Sequence, residues 1–164
     1  MREAPRVVDL PPVHAVAVRG KVPASDLAVF FGDAYRQLYQ LAGERGATIV
    51  GMPFARYFSV TPGEVDVEAA VPVVALPPLS LPSRIYWIDL PGGPAVELRH
   101  IGPYWTMTDS YAALERWLDE HHRAGVDVPR EVYLNGPEDT EPEDWVTLIV
   151  QPVEPAQPAV QTAA

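Results

Sequence analysis

The chain lacks cysteine altogether, and Lys21 is the one lysine among its 164 residues. Without cysteine it has no disulfide framework, no thiolate nucleophile and no cysteine-based zinc or iron–sulfur site. Its longest apolar runs are far too short to cross a membrane, and residues 1–12 lack the apolar core of a signal peptide. The sequence therefore predicts a cytoplasmic protein that does not associate with membranes.

Basic residues are also few, since 12 Lys and Arg stand against 22 Asp and Glu and the formal net charge is −10. A direct nucleic-acid-binding surface is not expected, because contacts to phosphates need clustered Lys and Arg. The acidic balance is compatible with a cationic partner, although solubility explains it equally well.

Motifs for cofactors and metals are absent as well. The chain contains no GxGxxG, P-loop or GxSxG sequence. His121 and His122 have no further ligands at the spacing that a metal site needs. A single domain of this length also buries enough surface to be stable without a metal. We therefore predict neither a cofactor nor a metal.

Two parts of the chain resemble each other. Residues 8–19 align with residues 88–99 at an offset of 80, and six of the twelve pairs are identical. Three further matches follow in the same order: Asp33-Ala34-Tyr35 and Leu38 with Asp109-Ser110-Tyr111 and Leu114, Pro53 and Tyr57 with Pro129 and Tyr133, and Val71-Pro72-Val73 with Gln151-Pro152-Val153. Four matches in one order indicate a duplicated module of roughly 70 residues.

Each copy shows the same succession of patterns. A strand with alternating apolar residues (13–18 and 94–100) precedes a helix with apolar residues three and four apart (27–42 and 107–121). Gly46 and Gly125 are placed where helices end. Two strands follow, at about 52–60 and 65–74 in one copy and at about 131–135 and 145–153 in the other. Residues 84–90 read as an extra strand, joined to residues 94–100 as a hairpin through Pro91-Gly92-Gly93.

This succession predicts an α+β fold, with an antiparallel-rich sheet and helices on one face. We expect one domain over residues 1–153, built from a first copy (about 7–74) and a second copy (about 84–153) related by a pseudo-two-fold axis. Residues 75–83 are proline-rich and are expected to form a stiff linker. Residues 154–164 have no apolar pattern and are expected to be a disordered tail.

Several segments resemble one protein family over residues 7–153. They are Asp66-Val67-Glu68-Ala69-Ala70-Val71-Pro72-Val73, Leu90-Pro91-Gly92-Gly93, His100-Ile101-Gly102-Pro103-Tyr104, Leu114-Glu115-Arg116-Trp117-Leu118 and Glu131-Val132-Tyr133-Leu134. The chain resembles a stand-alone member of the GyrI-like small-molecule-binding family, which includes the effector-binding domains of multidrug-responsive transcription regulators and a gyrase inhibitor. The resemblance implies two strand–helix–strand–strand (SHS2) modules with a ligand in the groove between them. About six residues precede the first strand, so a transcriptional role would need a separate DNA-binding partner.

Glu131 is the strongest candidate site residue. It begins a short predicted strand in which Val132 and Leu134 point to one face and Glu131 and Tyr133 to the other. If Val132 and Leu134 pack under the helices, Glu131 and Tyr133 face the groove. The resemblance places a ligand-contacting carboxylate at this motif, and a carboxylate among aromatic rings attracts organic cations. The alternative for Glu131 is an exposed position at the edge of a strand.

Aromatic residues are the other candidates for ligand binding, with core packing as the alternative for each ring. They are Tyr57, which is the repeat equivalent of Tyr133, and Trp87, Tyr104 and Trp105. His100 follows Val96 and Leu98 on an apolar strand face and is expected to be buried and hydrogen-bonded. An acidic run over residues 138–144 is expected to be a solvated loop, which would also concentrate cations at a groove mouth.

Three classes of function agree with these features. The favoured one is binding of bulky hydrophobic, planar or cationic small organic molecules, for sensing or sequestering drugs and xenobiotics, without chemistry. The second is a metal-independent hydrolase that uses Glu131 to open reactive cyclopropane rings of natural-product genotoxins, since some proteins of the family resemble hydrolases of this kind. The third is a protein-interaction module, such as an inhibitor that docks on an enzyme, which would need a separate protein partner.

Overall fold

A computed structural model describes residues 3–75 and 80–156 of the chain. Most of the predicted tail and the centre of the predicted linker, residues 157–164 and 76–79, lie outside the described residues. The strands are β1 (Arg6–Leu10), β2 (Val13–Val22), β3 (Thr48–Ile49), β4 (Phe54–Val60), β5 (Val65–Val74), β6 (Tyr86–Leu90), β7 (Gly93–Ile101), β8 (Arg130–Tyr133) and β9 (Val146–Pro152). The helices are α1 (Leu27–Arg45) and α2 (Met107–Glu120).

The two helices begin alike and end differently. Each follows a proline and a short 3-10 turn, Ala24–Asp26 before α1 and Tyr104–Thr106 before α2. Helix α1 ends at Gly46, which has a φ of 69° and closes the helix in the left-handed conformation that favours glycine. Helix α2 ends earlier than expected, at Glu120 rather than at Gly125. Within the described ranges, neither helix is long and apolar enough to cross a membrane.

One antiparallel sheet connects both copies, in the order β1-β7-β9-β8-β4-β5-β2-β6, with β3 attached to β5. In the internal repeat, β1 corresponds to β6, β2 to β7, β4 to β8 and β5 to β9. With these strands matched, the order is the same when it is read from either edge of the sheet. The registers repeat too, since Val8 lies opposite Ala95 at one edge and Ile88 lies opposite Ala15 at the other. The α+β fold and the antiparallel sheet are therefore confirmed, and strand pairing follows the internal repeat.

The predicted hairpin between residues 84–90 and 94–100 is wrong. Strand β6 pairs with β2, and β7 pairs with β1, so each copy contributes its first strand to the other copy's half of the sheet. The connection explains the error. A two-residue hairpin turn needs positive φ at its first central residue, which Pro91 cannot adopt because its ring fixes φ near −65°. Gly92 also has no positive φ.

The pseudo-two-fold axis passes through two identifiable places. At one, the connections before β2 and β7 cross so closely that a Cβ on Gly92 would lie 2.6 Å from the carbonyl oxygen of Leu10. At the other, β4 pairs with β8 in a register centred on Ala55 and Glu131. These two residues are equivalent in the repeat, so Glu131 lies next to the axis in the middle of the sheet.

Both faces of the sheet carry a core. On the helix face, α1 covers residues of β2 and β5, and α2 covers residues of β7 and β9. The far face has a core to which neither helix contributes: Ala15, Ala17, Phe54, Ala70, Ile88 and Leu90. Val132 packs against this far-face cluster, which contradicts the condition stated above that it packs under the helices. Glu131 and Tyr133 therefore lie on the helix face, in the space between α1 and α2.

Gly92→Ala should lower the free energy of unfolding by about 1–3 kcal/mol, because the added Cβ must displace the backbone of the crossing connection. Gly63→Ala is the matched control, since nothing lies within 4 Å of a Cβ at Gly63. Urea denaturation of both variants measures the difference. Equal stability of the two variants would contradict the close crossing at Gly92.

Candidate functional site

A cleft with a volume of ≈ 1660 Å³ opens between the helices. Helix α1 forms one wall, α2 and the turn before it form the other, and β4 and β8 form the floor. Most of its large side chains are aromatic: Phe31, Tyr35, Tyr39, Tyr57, Phe58, Tyr104, Tyr111 and Tyr133. Glu138 and Asp139 from the acidic loop also line the cleft. The cleft thus combines an aromatic interior with a carboxylate floor and two further acidic side chains.

Glu131 lies on the floor of this cleft and is 7% exposed. The hydroxyl of Tyr111 donates to its Oε2 at 2.5 Å, and the hydroxyl of Tyr133 donates to its Oε1 at 3.0 Å. The hydroxyl of Tyr57 lies 3.5 Å from that of Tyr133. Among the described residues, no arginine, lysine or histidine forms an ion pair with Glu131. Its charge is therefore met by neutral hydroxyl groups.

Burial governs the protonation of this cluster. Desolvation raises the pKa of Glu131 above its ordinary value, and hydrogen bonds from Tyr111, Tyr133 and Tyr57 oppose that shift. Burial and the neighbouring carboxylate raise the pKa of each of these three tyrosines as well. The tyrosines therefore stay protonated at neutral pH and act as donors to Glu131.

The tyrosines around Glu131 form two pairs related by the internal repeat. Tyr57 is equivalent to Tyr133, and Tyr35 is equivalent to Tyr111. The hydroxyl of Tyr111 reaches Glu131, whereas that of Tyr35 donates to the backbone oxygen of Phe54 at 2.6 Å. Tyr35 and Tyr111 were predicted only as part of the apolar helix faces. The repeat could have identified them, since both tyrosines fall in matched Asp-x-Tyr sequences on equivalent helices.

The structure brings four of the six predicted site residues to the cleft: Glu131, Tyr133, Tyr57 and Tyr104. The ring of Tyr104 stacks on Trp145 with centroids 4.5 Å apart and meets Tyr133 edge-on at 5.8 Å.

The two predicted tryptophans lie outside the lining of the cleft. Trp105 is 73% exposed and meets Trp145 edge-on at 6.1 Å, because the turn before α2 directs it outward. Trp87 stacks on His14 at 4.4 Å and packs against the core under α1. It reaches that place because β6 pairs with β2 at the sheet edge, far from the axis.

Metal coordination finds no support in the part of the chain that the structure describes, where no group of three His, Asp or Glu side chains is arranged to hold an ion. A smaller cavity of ≈ 350 Å³ lies beside α1, between Val29, Phe30, Asp33 and Arg84. The cleft around Glu131 is therefore the candidate site.

A family model described as the GyrI-like small molecule binding domain matches residues 3–154, which confirms the resemblance found in the sequence. No curated protein matches the chain. The structure is similar to EcmrR in complex with DNA, with a TM-score of 0.80 and 21% identity, over 94% of this chain and 58% of that chain. The chain thus spans less than two thirds of the EcmrR chain in that complex. The isolated EcmrR C-terminal domain gives a TM-score of 0.72 and 23% identity, over 93% of this chain and 98% of that domain.

Two further solved structures share the fold. A hydrolase from Listeria innocua has a TM-score of 0.63 and 14% identity, with 92% of each chain covered. SAV2435 bound to tetraphenylphosphonium has a TM-score of 0.62 and 13% identity, over 93% of this chain and 94% of that chain. At these identities the likeness shows the fold alone.

Glu131→Gln should stabilise the protein at neutral pH and have little effect in acid. Burial raises the pKa of the folded carboxyl above its ordinary value of 4.5. The stability that protonated Glu131 contributes is therefore complete below pH 4.5 and is lost as the pH rises through the folded pKa. Urea denaturation of both proteins across this range tests the sign. A difference between them that does not change with pH would show that Glu131 is not desolvated.

Proposed function

Because the chain belongs to the GyrI-like small molecule binding domain family, we propose that its cleft binds lipophilic organic cations and that Glu131 selects them by charge. The observation that carries this proposal is the buried carboxylate of Glu131, which tyrosine hydroxyls surround and which no described cationic side chain neutralises.

A second buried glutamate in the same sheet shows what a structural carboxylate looks like here. Glu68, on the far face, is 1% exposed, and the Nε of Arg56 donates to it at 2.7 Å. The hydroxyl of Tyr86 donates to its other oxygen. Glu68 thus has a permanent counterion, as buried charges in proteins usually do. Glu131 has none within the described residues, which leaves its charge for a ligand to neutralise.

Cation binding at this place is favourable on physical grounds. A ligand cation that enters the cleft displaces water and meets Glu131 in a medium of lower dielectric, where the attraction between opposite charges is stronger. The aromatic walls add cation–π attraction of roughly 0.5–2 kcal/mol for each ring that the cation faces. The ligand in turn favours the ionised carboxylate, so binding and deprotonation of Glu131 are coupled.

The size of the cleft indicates which cations fit. A volume of ≈ 1660 Å³ admits a bulky organic molecule, and the lining rings offer apolar faces instead of a dense set of hydrogen-bond donors. Tyr111 and Tyr133 already donate to both oxygens of Glu131, so a cation that needs no hydrogen bond of its own is well matched. The tetraphenylphosphonium bound to SAV2435, which shares the fold, supports this ligand class.

A hydrolase is the second candidate, and the 2.5 Å contact between Tyr111 and Glu131 favours it. In this scheme Glu131 accepts a proton from a water molecule whose oxygen bonds to a carbon of a strained cyclopropane ring. The electron pair of the broken ring bond passes into the substrate, which takes up a proton from Tyr111, and the proton on Glu131 then passes to Tyr111 along the hydrogen bond between them. The solved hydrolase from Listeria innocua has the same fold and supports keeping this candidate.

Calorimetric titration with tetraphenylphosphonium, and with triphenylphosphine oxide as a neutral aromatic ligand, tests the binding proposal. Glu131→Gln should weaken binding of the cation by about 1–3 kcal/mol and leave the neutral ligand unchanged, because only the charge is removed. Wild-type affinity for the cation should fall as the pH drops through the pKa of Glu131, while that of the variant stays constant.

The matched control is Glu115→Gln, which removes the same charge from an exposed position on α2 outside the cleft lining. Equal affinity of wild type and Glu131→Gln for the cation would overturn the proposal. Product analysis on each bound ligand separates the two candidates: a hydrolase loses turnover in Glu131→Gln far more than it loses binding.

A further inference from the structure

A group of buried polar side chains lies under the first turn of α2, behind the wall of the cleft. It consists of His100 on β7, Ser110 on α2 and Thr147 on β9, and the exposed Thr106 just before α2 adds a contact to His100. His100 is 2% exposed, Ser110 is 1% exposed and Thr147 is 0% exposed. Burying polar groups is costly unless they are hydrogen-bonded, so such a group needs a physical reason.

His100 forms the centre of this group, and its two ring nitrogens have different roles. Nε2 lies 3.2 Å from the backbone oxygen of Pro103 and 3.1 Å from Oγ1 of Thr106. A backbone oxygen can only accept, so Nε2 carries the proton and donates. Burial lowers the pKa of His100, so the ring is neutral at neutral pH. Nδ1 is therefore an acceptor, and the hydroxyl of Ser110 donates to it at 2.7 Å.

The first copy of the repeat has none of these polar groups. The residues equivalent to His100, Ser110 and Thr147 are Gly20, Ala34 and Val67. A Cβ on Gly20 would lie 2.7 Å from Cε2 of Phe30, so the phenylalanine ring occupies the space next to Gly20. The same fold thus packs α1 onto the sheet without a buried histidine group of this kind. The scaffold does not require the histidine group, which is found in the copy that carries Glu131.

The contacts of His100 all lead to side chains of the cleft. Ser110 directly precedes Tyr111, whose hydroxyl donates to Glu131. Pro103 and Thr106 flank the turn that carries Tyr104, which lines the same cleft. Fixing these backbone positions fixes the direction in which both tyrosines project.

We propose that His100 is a positioning residue for the cleft, which holds the first turn of α2 so that the Tyr111 hydroxyl stays on the Glu131 carboxylate. The ligand-binding part of the test rests on the proposed function, whereas the effect on Glu131 does not. Loss of the His100–Ser110 bond frees Tyr111 to move away, and Glu131 then loses its shortest hydrogen bond.

The direction in which the pKa of Glu131 changes follows from the groups around it. Those that face it are Tyr35 on α1, Tyr57 on β4, Tyr104 before α2, Tyr111 on α2 and Tyr133 on β8. All are neutral tyrosines, and the hydrogen bond from Tyr111 lowers the pKa of Glu131. A displaced Tyr111 therefore raises that pKa. More of the carboxyl is then protonated at a given pH, and cations bind more weakly while neutral ligands do not.

Ser110→Ala is the test variant, because alanine is the residue at the equivalent position of the first copy. Carbon-13 NMR of the Glu131 carboxyl gives its titration midpoint without any ligand. We expect the midpoint to rise, and tetraphenylphosphonium to bind about three- to tenfold more weakly near that midpoint, the scale of one hydrogen bond. Affinity for triphenylphosphine oxide should not change, and Ser110→Thr, which keeps the hydroxyl, should restore the wild-type midpoint.

Thr147→Val is the matched control. Thr147 lies opposite His100 on one neighbouring strand and opposite Tyr133 on the other. Its Oγ1 is buried and forms no hydrogen bond, and valine has the same shape as threonine. This variant should leave the Glu131 midpoint unchanged. An unchanged midpoint in Ser110→Ala, or equal weakening of the cation and the neutral ligand, would overturn the proposal. A raised midpoint in a protein whose wild type binds no cation would support positioning and refute the proposed function alone.

Discussion

The pairing of β4 with β8 is the contact on which the rest of the molecule depends. It joins the two halves into one sheet and is centred on Ala55 and Glu131, which are equivalent in the repeat. Because the axis passes between them, any side chain there lies midway between the two helices. The cleft is therefore a consequence of the symmetry, and a single carboxylate on its floor is reached by tyrosines from both copies. The exchange of β1 and β6 between the halves ties the same arrangement together at the sheet edges.

The residues to which we assign functions lie where the symmetry of the fold is broken. The scaffold repeats strand for strand, and the tyrosine pairs repeat with it. The carboxylate does not, since the first copy has Ala55 where the second has Glu131. The polar group around His100 is found only in the second copy as well. Each difference introduces buried polarity where the equivalent position of the first copy has a residue without polar side-chain atoms. Such positions carry a cost in stability that the fold itself does not require.

The sequence predicted the parts of this structure that depend on local pattern. The repeat, the helices after Pro23 and Pro103, and the strands flanking them are all expressed in short-range periodicity. Pairing of distant strands is not, so the partners of β6 and β7 were assigned wrongly. Prediction of the site residues was limited in the same way, because their positions also depend on contacts between distant segments. Strand alternation places Glu131 and Tyr133 on one face of the sheet. Which face the helices cover depends on the far-face core, against which Val132 packs. Trp87 and Trp105 have the chemistry of ligand-binding residues, and only the three-dimensional arrangement puts them elsewhere.

The contrast between Glu68 and Glu131 explains how one sheet holds two buried carboxylates with different roles. Glu68 has Arg56 on the adjacent strand, in direct register, so its charge is neutralised before any ligand arrives. The position that faces Glu131 across the axis is Ala55, which can supply no charge. Tyrosine hydroxyls stabilise the carboxylate enough to keep it in the folded protein without cancelling its charge. Under the proposed function, a ligand cation neutralises this charge, and binding recovers the free energy that burial of an unpaired carboxylate costs the folded protein.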